Sequence, residues 1–192
     1  MGNLAITYES LGKYADAEKL KIKVLDMTNI LLGKEHPATI NAMGNLANTY
    51  ESLGKYADAE KLKIQVLDMK NRLLGGEHPD TTRAMSNLAI TYRSLERYID
   101  AEKLEIQVLN MRSRFLGEEH PDTITAMENL AITFYHLQKY TDAARLEVQV
   151  VDVRKKILGE EHPQTVKAVA ILSEIRSQAN TSTSGTESKK KG

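Results

Sequence analysis

Four Glu-His pairs recur along this 192-residue chain, at Glu35-His36, Glu77-His78, Glu119-His120 and Glu161-His162. A carboxylate beside an imidazole can serve metal binding or general acid–base catalysis. A metal ion, however, needs its ligands to converge within about 2 Å of one point. The pairs are instead spaced evenly, 42 residues apart, and each is followed by Pro. Helices pack roughly 8–10 Å apart, so equivalent residues of successive helical units form a row rather than a cluster. Each His is therefore expected to fix a turn, by packing or by capping the next helix. The sequence holds no Gly-rich phosphate loop, no His-Glu-x-x-His, no nucleophile elbow and no Cys. The remaining carboxylates are read as solvent-facing. Glu18 with Lys21, and Glu60 with Lys63, make i,i+3 pairs worth about 0.2–0.5 kcal/mol. The expectation is a non-enzymatic chain with no catalytic residue, no cofactor and no metal.

A second row is made of amides. Asn3, Asn45, Asn87 and Asn129 each precede Leu-Ala, at the same 42-residue spacing. Asn is a middling helix former, so a helix has no local need for it four times. Its amide offers both donors and acceptors. A ladder of amides can therefore hold the backbone of an extended peptide without reading its sequence. The competing use is structural, each Asn capping or bridging neighbouring helices.

The elements that must carry these rows follow from apolar spacing. In the second unit Met43, Leu46, Ala47, Tyr50 and Leu53 form one helical stripe. Gly54-Lys55 interrupts it. Tyr56, Ala59, Leu62, Val66, Met69 and Leu73 then form another, flanked by Ile64 and Leu67. A helix with two apolar stripes packs against two neighbours, as the second helix of a stacked hairpin must. Gly75 suits a helix end with positive φ. Pro79 suits a first turn, where no backbone N–H is needed, and Asp80 suits the positive end of the helix dipole. The pattern predicts helices over 2–12, 15–32, 38–53, 56–74, 80–95, 98–116, 122–137, 140–158 and 164–177. A period near 42 also fits HEAT or armadillo repeats, which are helical, and propeller blades, against which stand the absence of Trp and the dominance of helix formers. The predicted fold is all-α, a right-handed superhelical α-solenoid of antiparallel helix pairs with about nine helices.

In such a stack the first helix of each pair lines the concave face. Projection from the core positions gives a candidate peptide groove of Asn3, Asn41, Asn45, Asn48, Arg83, Asn87, Ile90, Arg93, Asn129, Ile132, Tyr135 and His136. Arg83 and Arg93 favour an acidic segment, while Ile90 and Ile132 offer apolar contact. The units are read as 1–36, 37–78, 79–120 and 121–162, followed by a capping helix over 163–178. That helix keeps Val169 and Leu172 in phase but has Ile171 in place of the Asn and Arg176 in place of the Tyr. Residues 179–192, ending in Lys189-Lys190-Lys191-Gly192, are expected to be a disordered polar tail.

Leu46-Ala47-x-x-Tyr50 with Gly54-Lys55-Tyr56-x-x-Ala59 resembles the tetratricopeptide repeat (TPR) signature. It recurs at Leu4, Ala5, Tyr8, Tyr14 and Ala17, and in phase through the third and fourth units. The 42-residue form, with Asn before Leu-Ala and a Leu-Gly-x-x-His-Pro connector, resembles kinesin light chain repeats. It is closer still to the C-terminal TPR arrays of fungal NOD-like receptor proteins. The resemblance spans roughly residues 1–178. It implies a protein- or peptide-binding scaffold whose repeated Asn contacts peptide backbone. Alternatively, it implies a ligand-sensing or self-associating array of a larger receptor ATPase or GTPase. Two departures stand out. Met43, Met85 and Met127 replace the usual first large residue, often Trp. Lys21, Lys63, Glu105 and Glu147 stand where the second helix usually has a large apolar residue. The second helix is thus expected to be rotated or packed differently.

Charge narrows the partners. Lys plus Arg number 26, as do Asp plus Glu, so the formal net charge is zero. Nucleic acid is therefore not expected as a partner. No run of about 18 apolar residues and no signal peptide is present, so no membrane partner and a cytoplasmic location are expected. The expected partner is an extended peptide segment of another protein, with self-association through the N-terminal repeat as a second option. Met1–Met27 repeats Met43–Met69 except at Ile6/Asn48 and Lys23/Gln65. The chain thus enters its unit at an interior Met. It is read as a fragment of a longer array or as a start at an internal Met, with a first helix prone to fraying.

Overall fold

The structure is a computed structural model that describes residues 2–188, with the side chains of residues 2, 3, 6 and 182–188 set aside. Among the described residues there are nine α-helices and no strand: α1 (Gly2–Ser10), α2 (Tyr14–Leu32), α3 (Pro37–Ser52), α4 (Tyr56–Leu74), α5 (Pro79–Ser94), α6 (Tyr98–Leu116), α7 (Pro121–His136), α8 (Tyr140–Leu158) and α9 (Pro163–Ser188). Observed and expected ends agree closely for the first eight. The ninth runs further, with helical backbone to Ser188 where a polar tail was expected from 179. Ile175 is the last buried residue of α9 whose side chain is described. The Lys189–Lys191 run lies outside the described residues.

The turns are built as the residue types dictate. Gly75 caps α4 at φ 90°, and its N–H donates to the Asn71 carbonyl. Pro79 opens α5 next to His78, whose extended backbone at ψ 139° makes it the N-cap. His78 Nδ1 accepts a 3.1 Å hydrogen bond from the Asp80 N–H. His36, His120 and His162 do the same at 3.1, 3.1 and 3.2 Å. The Glu-His row is thus a set of helix caps, each satisfying an otherwise orphan N–H. The connector is also pinned from below, since buried Thr81 donates from Oγ1 to the Gly75 carbonyl at 2.8 Å.

Within each pair the turn closes by two bonds. Lys55 N–H reaches the Tyr50 carbonyl at 2.8 Å and Gly54 N–H the Glu51 carbonyl at 2.9 Å. Gly54 takes φ 71°. The third and fourth pairs place Glu96 and Gln138 in the same left-handed turn, both at φ 58°. The turn hydrogen bonds persist there, so the repeat holds these residues in a conformation that favours glycine.

Residues up to Arg97 and residues from Tyr98 form two compact units. In the first, α1 to α5 pack consecutively, each against the next, and in the second so do α6 to α9. The signature alanines Ala17, Ala59, Ala101 and Ala143 are wholly buried, where only a small side chain allows close helix contact. The first unit's core includes Ile40, Met43, Val66, Met69 and Ala84. The second unit's core includes Met127, Leu130, Phe134, Leu146, Val150, Leu172 and Ile175. Val169 does not join Leu172 there. It is 44% exposed, although the equivalent Met43, Met85 and Met127 are buried.

Candidate functional site

The first unit brings five of the expected groove residues together. Asn41, Asn45 and Asn48 of α3 and Arg83 and Asn87 of α5 line one cavity of about 490 Å³. Among the described residues no protein hydrogen bond engages the side-chain amides of Asn41, Asn45, Asn48 or Asn87; the recorded bonds use their carbonyls. Lys21 Nζ donates to the Asn45 carbonyl and Lys63 Nζ to the Asn87 carbonyl, each at 3.1 Å. Any residue could supply those carbonyls, so the structural duty does not explain the amide.

Two further residues of this cavity, Lys63 and Lys70 of α4, were not anticipated. Lys63 is 5% exposed, pairs with Glu51 at 2.6 Å, and shares that carboxylate with Thr91 Oγ1 at 2.6 Å. Burial holds its ammonium below the usual lysine range, and the Glu51 hydrogen bond opposes that shift. The first repeat has the same set, with Lys21 to Glu9 at 2.6 Å and Thr49 to Glu9 at 2.7 Å. The charged residues at this helical position therefore point inward like the apolar residue they replace. In the first unit an ion pair fills the site that an apolar residue would otherwise occupy.

The expected i,i+3 pairs give way to longer-range ones. Glu18 binds Lys55 at 2.7 Å rather than Lys21, and Glu60 binds Arg97 at 2.5 Å rather than Lys63. The neighbouring pair presents its cation at closer range, and Lys21 and Lys63 are already committed to Glu9 and Glu51. Lys139 to Glu102, at 2.6 Å, repeats the link in the second unit. Each is a half-exposed strap between successive pairs.

The second unit has its own cavity, of about 500 Å³. The expected Asn129, Ile132 and Tyr135 of α7 line it, with Glu147 of α8 and Ile171 of α9. The carboxylate of Glu147 was read as solvent-facing from its sequence position. It is 1% exposed, and its Oε1 finds no hydrogen-bond partner in the protein. Burial, with the nearby Glu128 carboxylate adding to it, pushes Glu147 up to about 7, while Arg154 pulls the other way. Arg154 is itself engaged with Glu128 at 2.9 Å. One signal in the sequence marks the site. Lys21 and Lys63 have Glu9 and Glu51 twelve residues earlier, whereas Glu147 has Tyr135 there.

The other expected residues lie apart from these cavities. His136 stacks on Tyr98, with ring centroids 4.5 Å apart. Ile90 is exposed and Arg93 half-buried, and neither lines the first unit's cavity. The Asn3 side chain lies outside the described set. No three His, Asp or Glu side chains converge as a metal would require, among the described residues. None of the described helices is long and apolar enough to cross a membrane.

Family models described as tetratricopeptide repeat match residues 1–72, 45–114 and 123–164. The chain belongs to the tetratricopeptide repeat family. TPR repeats are non-catalytic scaffolds whose typical role is protein–protein interaction. Solved structures support the same fold. A Podosopora anserina protein assigned as a kinesin light chain, with nearly identical TPR-like repeats, is 26% identical at a TM-score of 0.85. The match covers 97% of this TPR chain and 88% of that one. A single-substitution form of the same protein gives a TM-score of 0.86 with the same identity and coverage. BtubC (BKLC) from P. vanneervenii, 19% identical, shares the fold at a TM-score of 0.73 over 92% of this chain and 78% of its own. No curated protein matches the chain. The TPR assignment accounts for the Leu-Ala and Tyr-x-x-Ala positions as packing. It does not by itself account for the amide and cation sets of the first unit or for the buried carboxylate of the second.

Proposed function

We propose that this chain is a non-enzymatic scaffold that binds an extended peptide segment of another protein along the Asn-bearing face of its first helices. The observation that carries the reading is the convergence of four unengaged amides on one cavity, at Asn41, Asn45, Asn48 and Asn87. Amides without an internal partner are available to peptide N–H and C=O groups. Lys70 and Arg83 at the same cavity favour an acidic or carboxylate-rich segment there. Arg93 does not line that cavity, so it is left out of this reading.

The test is a triple substitution, Asn45→Ala with Asn87→Ala and Asn129→Ala. Its circular dichroism and melting should match the parent, while capture of partner from native extract, and titration of that partner, should be lost. Unchanged affinity would sink the groove assignment. We read the scaffold as cytoplasmic, which imaging of a fluorescent fusion checks.

A second reading is a sensing or self-associating array within a larger NOD-like receptor. The near identity of Met1–Met27 and Met43–Met69, which differ only at Ile6/Asn48 and Lys23/Gln65, favours recent duplication of the kind such arrays undergo. A nucleotide-binding domain encoded in the same transcript would support it, and a standalone transcript would exclude it. Light scattering at increasing concentration measures the self-association arm.

A further inference from the structure

Glu147 is a buried acid whose surroundings can be compared, position by position, with those of Lys21 and Lys63. In the first unit the equivalent site holds a cation, Lys21 or Lys63, with a carboxylate and a threonine hydroxyl supplied around it. In the second unit three changes coincide. The lysine becomes Glu147, the carboxylate becomes Tyr135, and the hydroxyl becomes Ile175. The result is a carboxyl group that is 1% exposed, lines a 500 Å³ cavity, and leaves Oε1 without a hydrogen bond. A neutral or apolar residue would fill that position at less cost, so a buried acid without a counter-ion calls for a partner from outside.

We propose that this cavity receives a basic side chain, lysine or arginine, of a partner polypeptide, with the Glu147 carboxylate as its counter-ion. The walls suit such a guest. Ile132, Ile171 and Ile175 offer apolar surface to a methylene stem, and Tyr135 offers an aromatic ring beside it. The volume falls within the usual range for ligand pockets, roughly 300–1,000 Å³.

The other charges around Glu147 do not supply the missing cation. From α7, Glu128 is occupied by Arg154 of α8 at 2.9 Å. From α9, Glu174 accepts from the Gln178 side chain at 3.0 Å, and Lys167 is exposed at the rim. The carboxylates of the lining, Glu128, Glu147 and Glu174, outnumber its one cation, Lys167. The raised proton affinity of Glu147 agrees with an acid awaiting a cation, and binding a cation should expel that proton. This inference rests on the peptide-binding reading and narrows it. The partner would carry a basic residue over the second unit and an acidic stretch over the first.

The experiment is an NMR titration of the full chain with N-acetyl-lysine methylamide, against N-acetyl-norleucine methylamide as the uncharged control. Shifts from the lysine compound should centre on Ile132, Tyr135, Glu147 and Ile171. The norleucine compound should bind about tenfold or more weakly. Glu147→Gln, which keeps size and shape, should erase the preference while melting as a folded protein. Glu147→Asp should retain the preference in weaker form. Lys167→Ala should bind the lysine compound at least as well as the parent. Equal shifts from both compounds, an unchanged preference in Glu147→Gln, or binding only after Lys167 is removed would each overturn the proposal. The outcome is separable from that of the Asn substitutions. Asn-dependent capture of partner without a lysine response would reject this pocket and keep the groove. A lysine response with Asn-independent capture would do the reverse.

Discussion

The two units place cavities of nearly equal volume, about 490 and 500 Å³, at equivalent places in the repeat, with opposite chemistry. The first is lined by amides and by Lys63, Lys70 and Arg83. The second is lined by isoleucines, a tyrosine and a buried carboxyl group. Backbone geometry is the same in both, down to the His caps and the left-handed turns. The repeat thus separates two tasks. Ala, Met, Thr, His and Pro hold the framework, while a few positions facing each cavity set its sign. The first unit fills its polar site from within, as Lys63 with Glu51 shows, and the second leaves Glu147 open.

The sharpest way to break this contrast is to remove the internal compensation in the first unit. Lys63→Met should destabilise by about 3 kcal/mol in urea unfolding, because it strands the partly buried Glu51 beside Thr91. A loss below about 1 kcal/mol would show that water or Thr91 suffices for Glu51, and the two sites would then differ less than their geometry suggests.

The next test acts on the second unit with the opposite sign. Glu147 binds its proton more tightly in the folded chain, at about 7, than at the ordinary value of 4.5. The folded state therefore holds more protons than the unfolded state between those values, so stability falls as pH rises through that window. The cost of ionising Glu147 amounts to about 3 kcal/mol by pH 8. Glu147→Gln should leave stability near pH 4.5 unchanged, raise it above pH 7, and flatten the profile between. Melting curves across that range decide it, and a profile with the same slope in Glu147→Gln would assign the pH dependence elsewhere.

Smaller effects test the shared framework. Glu96→Gly and Gln138→Gly, one in each unit, should each stabilise by about 1 kcal/mol, since both residues sit at φ 58°. His78→Ala and His120→Ala should each cost about 1 kcal/mol by removing a helix cap. Equal changes in the two units would confirm that the framework is common to both. Smallest of all, Lys139→Ala should cost under about 1 kcal/mol, and less in high salt, because its bond to Glu102 is half-exposed.

Much of the framework was legible from residue order. The His-Pro connectors, the glycines at helix ends and the 3.6-residue apolar stripes depend on chemistry within a few positions, and α1 to α8 follow them closely. The cap role of the histidines was legible for the same reason. The destinations of the charges were not. Local spacing offered Glu18 to Lys21, yet Glu18 reaches Lys55, because stacking brings a cation from the next pair closer than the helix's own turn does. The candidate groove was legible in part. Five of its residues converge in the first unit and three in the second, whereas His136 is drawn aside by stacking on Tyr98.

The sequence by itself determined the helix-pair repeat, its 42-residue period and the positions of its turns, since each is set by local conformational preference and by which residues are apolar. Only the tertiary structure decided what became of Lys63 and Glu147. Both are charged residues at one helical position, and spacing alone read them as exposed. Packing buries both, surrounding one with a carboxylate and a hydroxyl and the other with Tyr135 and Ile175. Burial raises the cost of an uncompensated charge, so the neighbours brought by folding decide whether such a residue is an internal brace or an open site.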